Sequence, residues 1–118
     1  MNGHTSTYLK SKIHRATVTD TQLYYDGSIA IDPDLVESAN MNEYEQVEVY
    51  NETNGKRWTT YIIFTGKGSG EISVRGPGAR LAEAGDVVVI CTYLQTRFKC
   101  PKPTQVSVNE DNEVTRIY

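Results

Sequence analysis

The stretch Gln46-Val47-Glu48-Val49-Tyr50-Asn51-Glu52-Thr53-Asn54-Gly55-Lys56-Arg57-Trp58-Thr59-Thr60-Tyr61-Ile62-Ile63-Phe64 decides the fold class. From Gln46 to Tyr50 apolar and polar residues alternate, which is the period of a strand with one face buried. Asn54-Gly55 supplies the left-handed backbone that a tight hairpin needs, and Arg57 to Phe64 is rich in β-branched and aromatic residues. Two strands, 46–50 and 57–64, are therefore predicted to pair.

Working outward, period-two patterns outnumber helical ones. Lys12 to Thr19 reads as a strand with Ile13, Ala16 and Val18 turned inward, and its alternation slips by one residue around Arg15. Ile29-Ala30-Ile31 is a short buried strand. Asp32-Pro33-Asp34 reads as a helix start, with Asp32 as N-cap and Pro33 at the first helical position, where its missing N–H costs nothing. That helix runs to about Ala39, with Asn40 as a left-handed stop. Gly66-Lys67-Gly68-Ser69-Gly70 resembles a phosphate cradle only in composition and reads as a flexible hairpin loop. Glu71 to Val74 is a strand, Gly76-Pro77-Gly78 introduces a short helix near 79–83, and Asp86 to Leu94, the most apolar strand, should be central. Val106 to Val108 and Val114 to Ile117 form a last hairpin. Short strands, two stubby helices and no βαβ repeat point to a small β-barrel, which leaves no exposed edges.

Composition agrees with one domain. The chain has 118 residues, 38% hydrophobic and 23% charged, with a net charge of −3, so it suits a modest core and carries no global field that would draw in phosphate backbones. Nucleic-acid binding is disfavoured. The longest apolar run, Val87 to Cys91, is far shorter than the ~20 residues that span a bilayer, and the polar start MNGHTSTYLKSK has no apolar signal region. A soluble, cytoplasmic protein is expected. Cys91 and Cys100 lack CxxC spacing; the first reads as a buried strand residue and the second as a tail thiol. His4 and His14 have no i, i+4 pairing that would make a metal site, so no metal is expected.

The remaining oddity is Gly27-Ser28, between Tyr24-Tyr25-Asp26 and an apolar strand. Taken alone it reads as a turn. A glycine carbonyl is unshielded, however, and a following serine hydroxyl can approach it if the backbone is held in a strained form, which would permit an N-to-O acyl shift.

The motifs Lys12-x-His14-Arg15-x-x-Val18-Thr19, Tyr25-Asp26-Gly27-Ser28-x-Ala30-Ile31-Asp32 and Thr53-Asn54-Gly55-Lys56-Arg57-x-x-Thr60-Tyr61 together resemble the aspartate 1-decarboxylase family. The likeness runs in register from about Leu9 to Leu94 and takes in Ser73-Val74-x-Gly76 and Gly85-Asp86. It implies a six-stranded double-psi β-barrel with short helices, assembled as a homotetramer with active sites between protomers. It also implies self-cleavage at Gly27-Ser28 into a β chain, 1–27, and an α chain, 28–118, with Ser28 converted into a pyruvoyl group. No metal or pyridoxal phosphate is then needed.

The same resemblance implies roles. Pyruvoyl at position 28 would form a Schiff base with L-aspartate and act as electron sink for decarboxylation to β-alanine, feeding pantothenate and coenzyme A synthesis. Thr60 would donate to the oxyanion formed during cleavage, and Tyr61 would be the proton donor. Arg57 and Lys12 would bind carboxylates, His14 and Tyr25 would line the site, and the loop Gly76-Pro77-Gly78 would contribute to substrate binding. Trp58 reads as packing.

One departure stands out. Where the family usually has asparagine followed by Gly-Ala-Ala, this chain has Arg75-Gly76-Pro77-Gly78-Ala79. Arginine cannot accept hydrogen bonds, and Pro77 has no N–H. Arg75 is either a second carboxylate clamp or an impediment to cleavage, and the substrate is either aspartate or another acidic amino acid. A non-catalytic binding barrel is the alternative from another class, and the need for a maturation protein stays open.

Overall fold

The computed structural model describes residues 3–118; Met1 and Asn2, which open the polar N-terminal stretch, lie outside the described residues. Among the described residues nine strands form: β1 (Ser6–Thr17), β2 (Asp20–Gln22), β3 (Ser28–Ile31), β4 (Gln46–Asn51), β5 (Arg57–Phe64), β6 (Ile72–Arg75), β7 (Val87–Thr96), β8 (Thr104–Val108) and β9 (Val114–Ile117). Helix α1 covers Pro33–Ser38, and a 3-10 turn covers Gly76–Arg80.

The hairpin that decided the fold class is present: β4 and β5 pair antiparallel, with Val47 opposite Thr60 and Tyr50 opposite Arg57. Val47 and Val49 are buried while Gln46 is exposed. The slip in β1 is a bulge: its pairing with β7 shifts between Ile13 and Ala16, and Arg15 there has φ 60°. Two inward residues three apart cannot share one face of a regular strand, so an extra residue must bulge between them. β7 lies between β4 and β1, as its apolar run predicts.

The hydrogen-bonded order is β2-β6-β3-β5-β4-β7-β1-β8-β9. Its two halves meet through β1 and β2, one stretch interrupted only at Val18-Thr19. Val18 N donates to Asp86 O (2.9 Å) and Thr19 N to Ile72 O (2.8 Å). The stretch that pairs with β7 thus goes on to pair with β6, closing a ring of six staves. The expected six strands become nine because the first stave counts twice and the β8–β9 hairpin is appended to β1 by parallel pairing. Two parallel pairs inside the barrel, β2–β6 and β3–β5, require chain crossovers and set it apart from a meander. Ile13, Ile29, Ile31, Val47, Val49, Ile62, Ile72, Val74 and Ile90 fill the interior.

Strand β2 has no counterpart in the sequence pattern, since three residues are too few for a period to register. Two expectations are corrected. The helix expected near 79–83 is a 3-10 turn from Gly76 to Arg80, starting at the glycine-proline pair itself. The 66–70 glycine loop is not a hairpin, because β3 lies between β5 and β6. It is a crossover, pinned by Asp32, whose carboxylate accepts from Gly68 N and Gly70 N as well as Asp34 N, each at 2.9 Å.

Candidate active site

Ser28 is the first residue of β3 and is flanked by β6 and β5: it pairs with Arg75, and the next residue, Ile29, pairs with Ile62. The Gly27-Ser28 peptide therefore lies level with Thr60-Tyr61 on one side and Arg75-Gly76 on the other. Ser28 is 2% exposed, and its buried hydroxyl has no hydrogen-bond partner. A buried hydroxyl ordinarily finds one, because leaving it unpaired costs about 1–3 kcal/mol.

Gly76 holds the neighbouring peptide in place. Its φ of +77° belongs to the left-handed region, and a Cβ there would sit 2.6 Å from Gly27 Cα and 2.8 Å from Gly27 N. Only glycine lets the two backbones approach so closely. Pro77 continues the contact, its Cδ 3.6 Å from where a Gly27 Cβ would lie. Gly78 ends the contact surface against Trp58.

Arg75 does not point to solvent. Its guanidinium lies 4.8 Å from the Tyr25 ring centroid, and its Nε donates to Ser73 Oγ at 3.3 Å. Ser73 Oγ in turn donates to Asp20 Oδ2 at 3.1 Å, which also accepts from Gln22 Nε2 at 2.9 Å. The Gln22 amide holds the Asp20 carboxyl below the usual carboxylate range, with the Ser73 hydroxyl and the Arg75 charge assisting. Tyr25, about half exposed, is thus a ring stacked on an anchored cation.

The other predicted site residues lie on the outward face of the sheet. Alternation along β5 turns Thr60 to the same side as Trp58 and buried Ile62, whereas Tyr61, 39% exposed, shares its side with Thr59 and Arg57. That second face continues across the sheet through the pairs Thr59–Glu48, Glu48–Cys91 and Cys91–Lys12. Lys12 is three strands from β5, on the opposite side of the six-stave ring. His14 follows Lys12 two residues on, half-buried, with Nδ1 buried and without a partner. The Arg57 guanidinium lies 4.5 Å from the Tyr50 ring centroid, and the Tyr50 and Tyr93 hydroxyls are 2.7 Å apart. Burial, then the bond to Tyr50, pushes the Tyr93 phenol well above its usual range, and burial likewise raises the Cys91 thiol. Both cysteines are free, Cys91 buried in β7 and Cys100 in the connection after it.

One chain therefore brings Tyr25, Gly27, Ser28, Thr60, Tyr61 and Arg75 to Gly78 together on neighbouring strands, with Arg57 four residues back along β5, and leaves Lys12 and His14 across the ring on β1. The support that Asp20 and Gln22 give to Ser73 and Arg75 was not legible, because it depends on β2.

The aspartate decarboxylase family model matches residues 4–115. The chain belongs to the aspartate decarboxylase family. Among its curated relatives, the aspartate 1-decarboxylase of Methylococcus capsulatus is 49% identical over 114 residues, 94% of this chain and 90% of the relative. Those of Bordetella pertussis and Ralstonia pickettii are 46% and 47% identical over 112 residues, in each case 92% of this chain and 92–93% of theirs. Membership accounts for the register of the three motifs along the barrel. Like its relatives' names, the family name is that of a carboxy-lyase. Among the described residues of this family member, no helix is long and apolar enough to cross a membrane.

Proposed function

We propose that this chain is the precursor of a cytoplasmic aspartate 1-decarboxylase, which splits itself between Gly27 and Ser28 and then converts L-aspartate to β-alanine and CO2. The observation that carries the reading is the buried, partnerless hydroxyl of Ser28 beside a Gly27 backbone that Gly76 holds in close contact.

In the cleavage step the Ser28 oxygen attacks the Gly27 carbonyl carbon, the C–N bond breaks, and the hydroxyl proton passes to the nitrogen, leaving an ester. The Thr60 hydroxyl is the donor for the transient oxyanion. Elimination then expels the Gly27 carboxylate, and water hydrolyses the residue left at position 28 with loss of ammonia. The products are chains 1–27 and 28–118.

The residues present fit a pyruvoyl group, because its precursor hydroxyl is buried, unengaged and at the head of a rigid strand. When formed, that group supplies the electron sink for loss of a carboxylate. Arg57 offers planar bidentate recognition of a substrate carboxylate, and Lys12 a compact charge. Tyr61 offers its phenol O–H as the proton donor to the product carbon. Tyr25, Gly76, Pro77 and Gly78 flank Ser28 within one chain, and His14 joins the substrate site from a neighbouring copy, as Lys12 does. The separation of the Lys12 group from the Ser28 group supports a site completed by a neighbouring copy, hence a homotetramer with shared sites.

The Ser28→Ala variant tests the reading. It should remain one 118-residue chain and form no β-alanine, with Tm unchanged or slightly raised because the lost hydroxyl has no partner. Decarboxylation by this variant would overturn the mechanism.

A further inference from the structure

Trp58 is the one tryptophan of the chain. It lies opposite Val49 in the β4–β5 pair, and its indole packs against the core. The indole Nε1 is nevertheless buried without a hydrogen-bond partner. Indole N–H is a donor only, and a buried tryptophan normally finds an acceptor.

The place where that donor lies is specific. A Cβ on Gly78 would sit 2.7 Å from Trp58 Nε1 and 3.1 Å from its Cδ1, so the ring edge occupies space that any other residue at 78 would claim. Gly78 is two residues along the same turn from Gly76, whose backbone touches Gly27, so the two contacts are at most ~7.6 Å apart between Cα atoms. Between them stands Pro77, which faces Gly27 and has no N–H to offer. The turn is short of a donor in its middle, and the indole brings one to its end. Thr60, the other polar group on this side of β5, follows two residues later.

We propose that Trp58 is a substrate-binding residue whose Nε1–H donates to a carboxylate of the dicarboxylic amino-acid substrate beside the Gly76–Gly78 turn. The Gly78–Trp58 pair is then a matched device: the missing Cβ admits the indole, and the indole replaces the donor that Pro77 cannot provide. The inference rests on the decarboxylase reading given above.

Two measurements on the self-processed protein test it. Trp58→Phe keeps an aromatic ring in the core but removes the donor. It should leave cleavage into 27- and 91-residue chains intact and raise KM for aspartate by about 10-fold, the effect of a lost hydrogen bond to a charged group. In the wild-type protein, titration with succinate, a dicarboxylate that cannot be decarboxylated through an amine, should shift the single-tryptophan emission saturably. This second arm decides the matter if Trp58→Phe does not fold. A processed Trp58→Phe variant with wild-type KM, or an emission spectrum indifferent to saturating succinate, would overturn the assignment and leave the decarboxylase reading standing. A wild-type chain that is never split would overturn both.

Discussion

Arg75 departs from its family's usual asparagine and has its guanidinium committed on two sides, stacked on Tyr25 and bonded to Ser73. An arginine so held acts through Tyr25, steadying the ring beside Gly27. A cation–π contact of this exposure is worth about 0.5–1 kcal/mol. Arg75→Asn should accordingly raise KM for aspartate by roughly 3- to 5-fold with the chain still cleaved, as steady-state kinetics and a denaturing gel would record. Unchanged KM with faster cleavage would instead make Arg75 an impediment. At this scale the candidate site residues were legible only through the resemblance of three motifs to the aspartate 1-decarboxylase family; alternation alone reads each of them as an ordinary strand residue. The anchoring was not legible, because Asp20 and Gln22 reach Ser73, and through it Arg75, only by the β2–β6 pairing, and β2 is too short to leave a pattern.

Among the elements, α1 was readable from Asp32-Pro33-Asp34, and Asn40, expected as its left-handed stop, has φ 57°. The sequence did not reveal that the same Asp32 side chain also binds Gly68 and Gly70, 36 and 38 residues away. Local capping has a local signature, whereas a carboxylate's remaining lone pairs can be claimed from anywhere. Burial alone would raise the Asp32 pKa, but the N–H groups of Gly70, Asp34 and Gly68 outweigh it and hold the carboxyl below its usual value. Asp32→Ala removes the cap and strands two further amides, a loss on the order of 3 kcal/mol, or roughly 10 °C in Tm. A group with a lowered folded pKa contributes stability above its unfolded value of ~3.9 and loses it as pH falls through the folded one. The Tm gap between wild type and Asp32→Ala should therefore be widest near neutrality and shrink below about pH 4.

For the molecule as a whole, the small β-barrel was legible from alternation and turn chemistry, and its closure was not. Closure depends on one continuous stretch, β1 and β2, pairing with β7 at one end and β6 at the other, a long-range fact without a local trace. The same geometry divides the predicted site, with Ser28 on β3 and Lys12 three strands beyond β5. If neighbouring copies complete each other's sites, Lys12→Ala and Ser28→Ala chains, each inactive alone, should regain roughly a quarter of wild-type activity when coexpressed, as random mixing in a symmetric oligomer requires. Absence of any recovery in mixed oligomers would place both residues in one protomer's site.

The central claim is that this barrel makes its own electrophile from Ser28, and mass spectrometry of the purified wild-type protein under denaturing conditions tests it most directly. Two species are predicted, one of residues 1–27 ending in a glycine carboxylate and one of residues 28–118 whose mass corresponds to a pyruvoyl start in place of serine. A single intact 118-residue chain, after incubation long enough for β-alanine production to be assayed, would contradict the account.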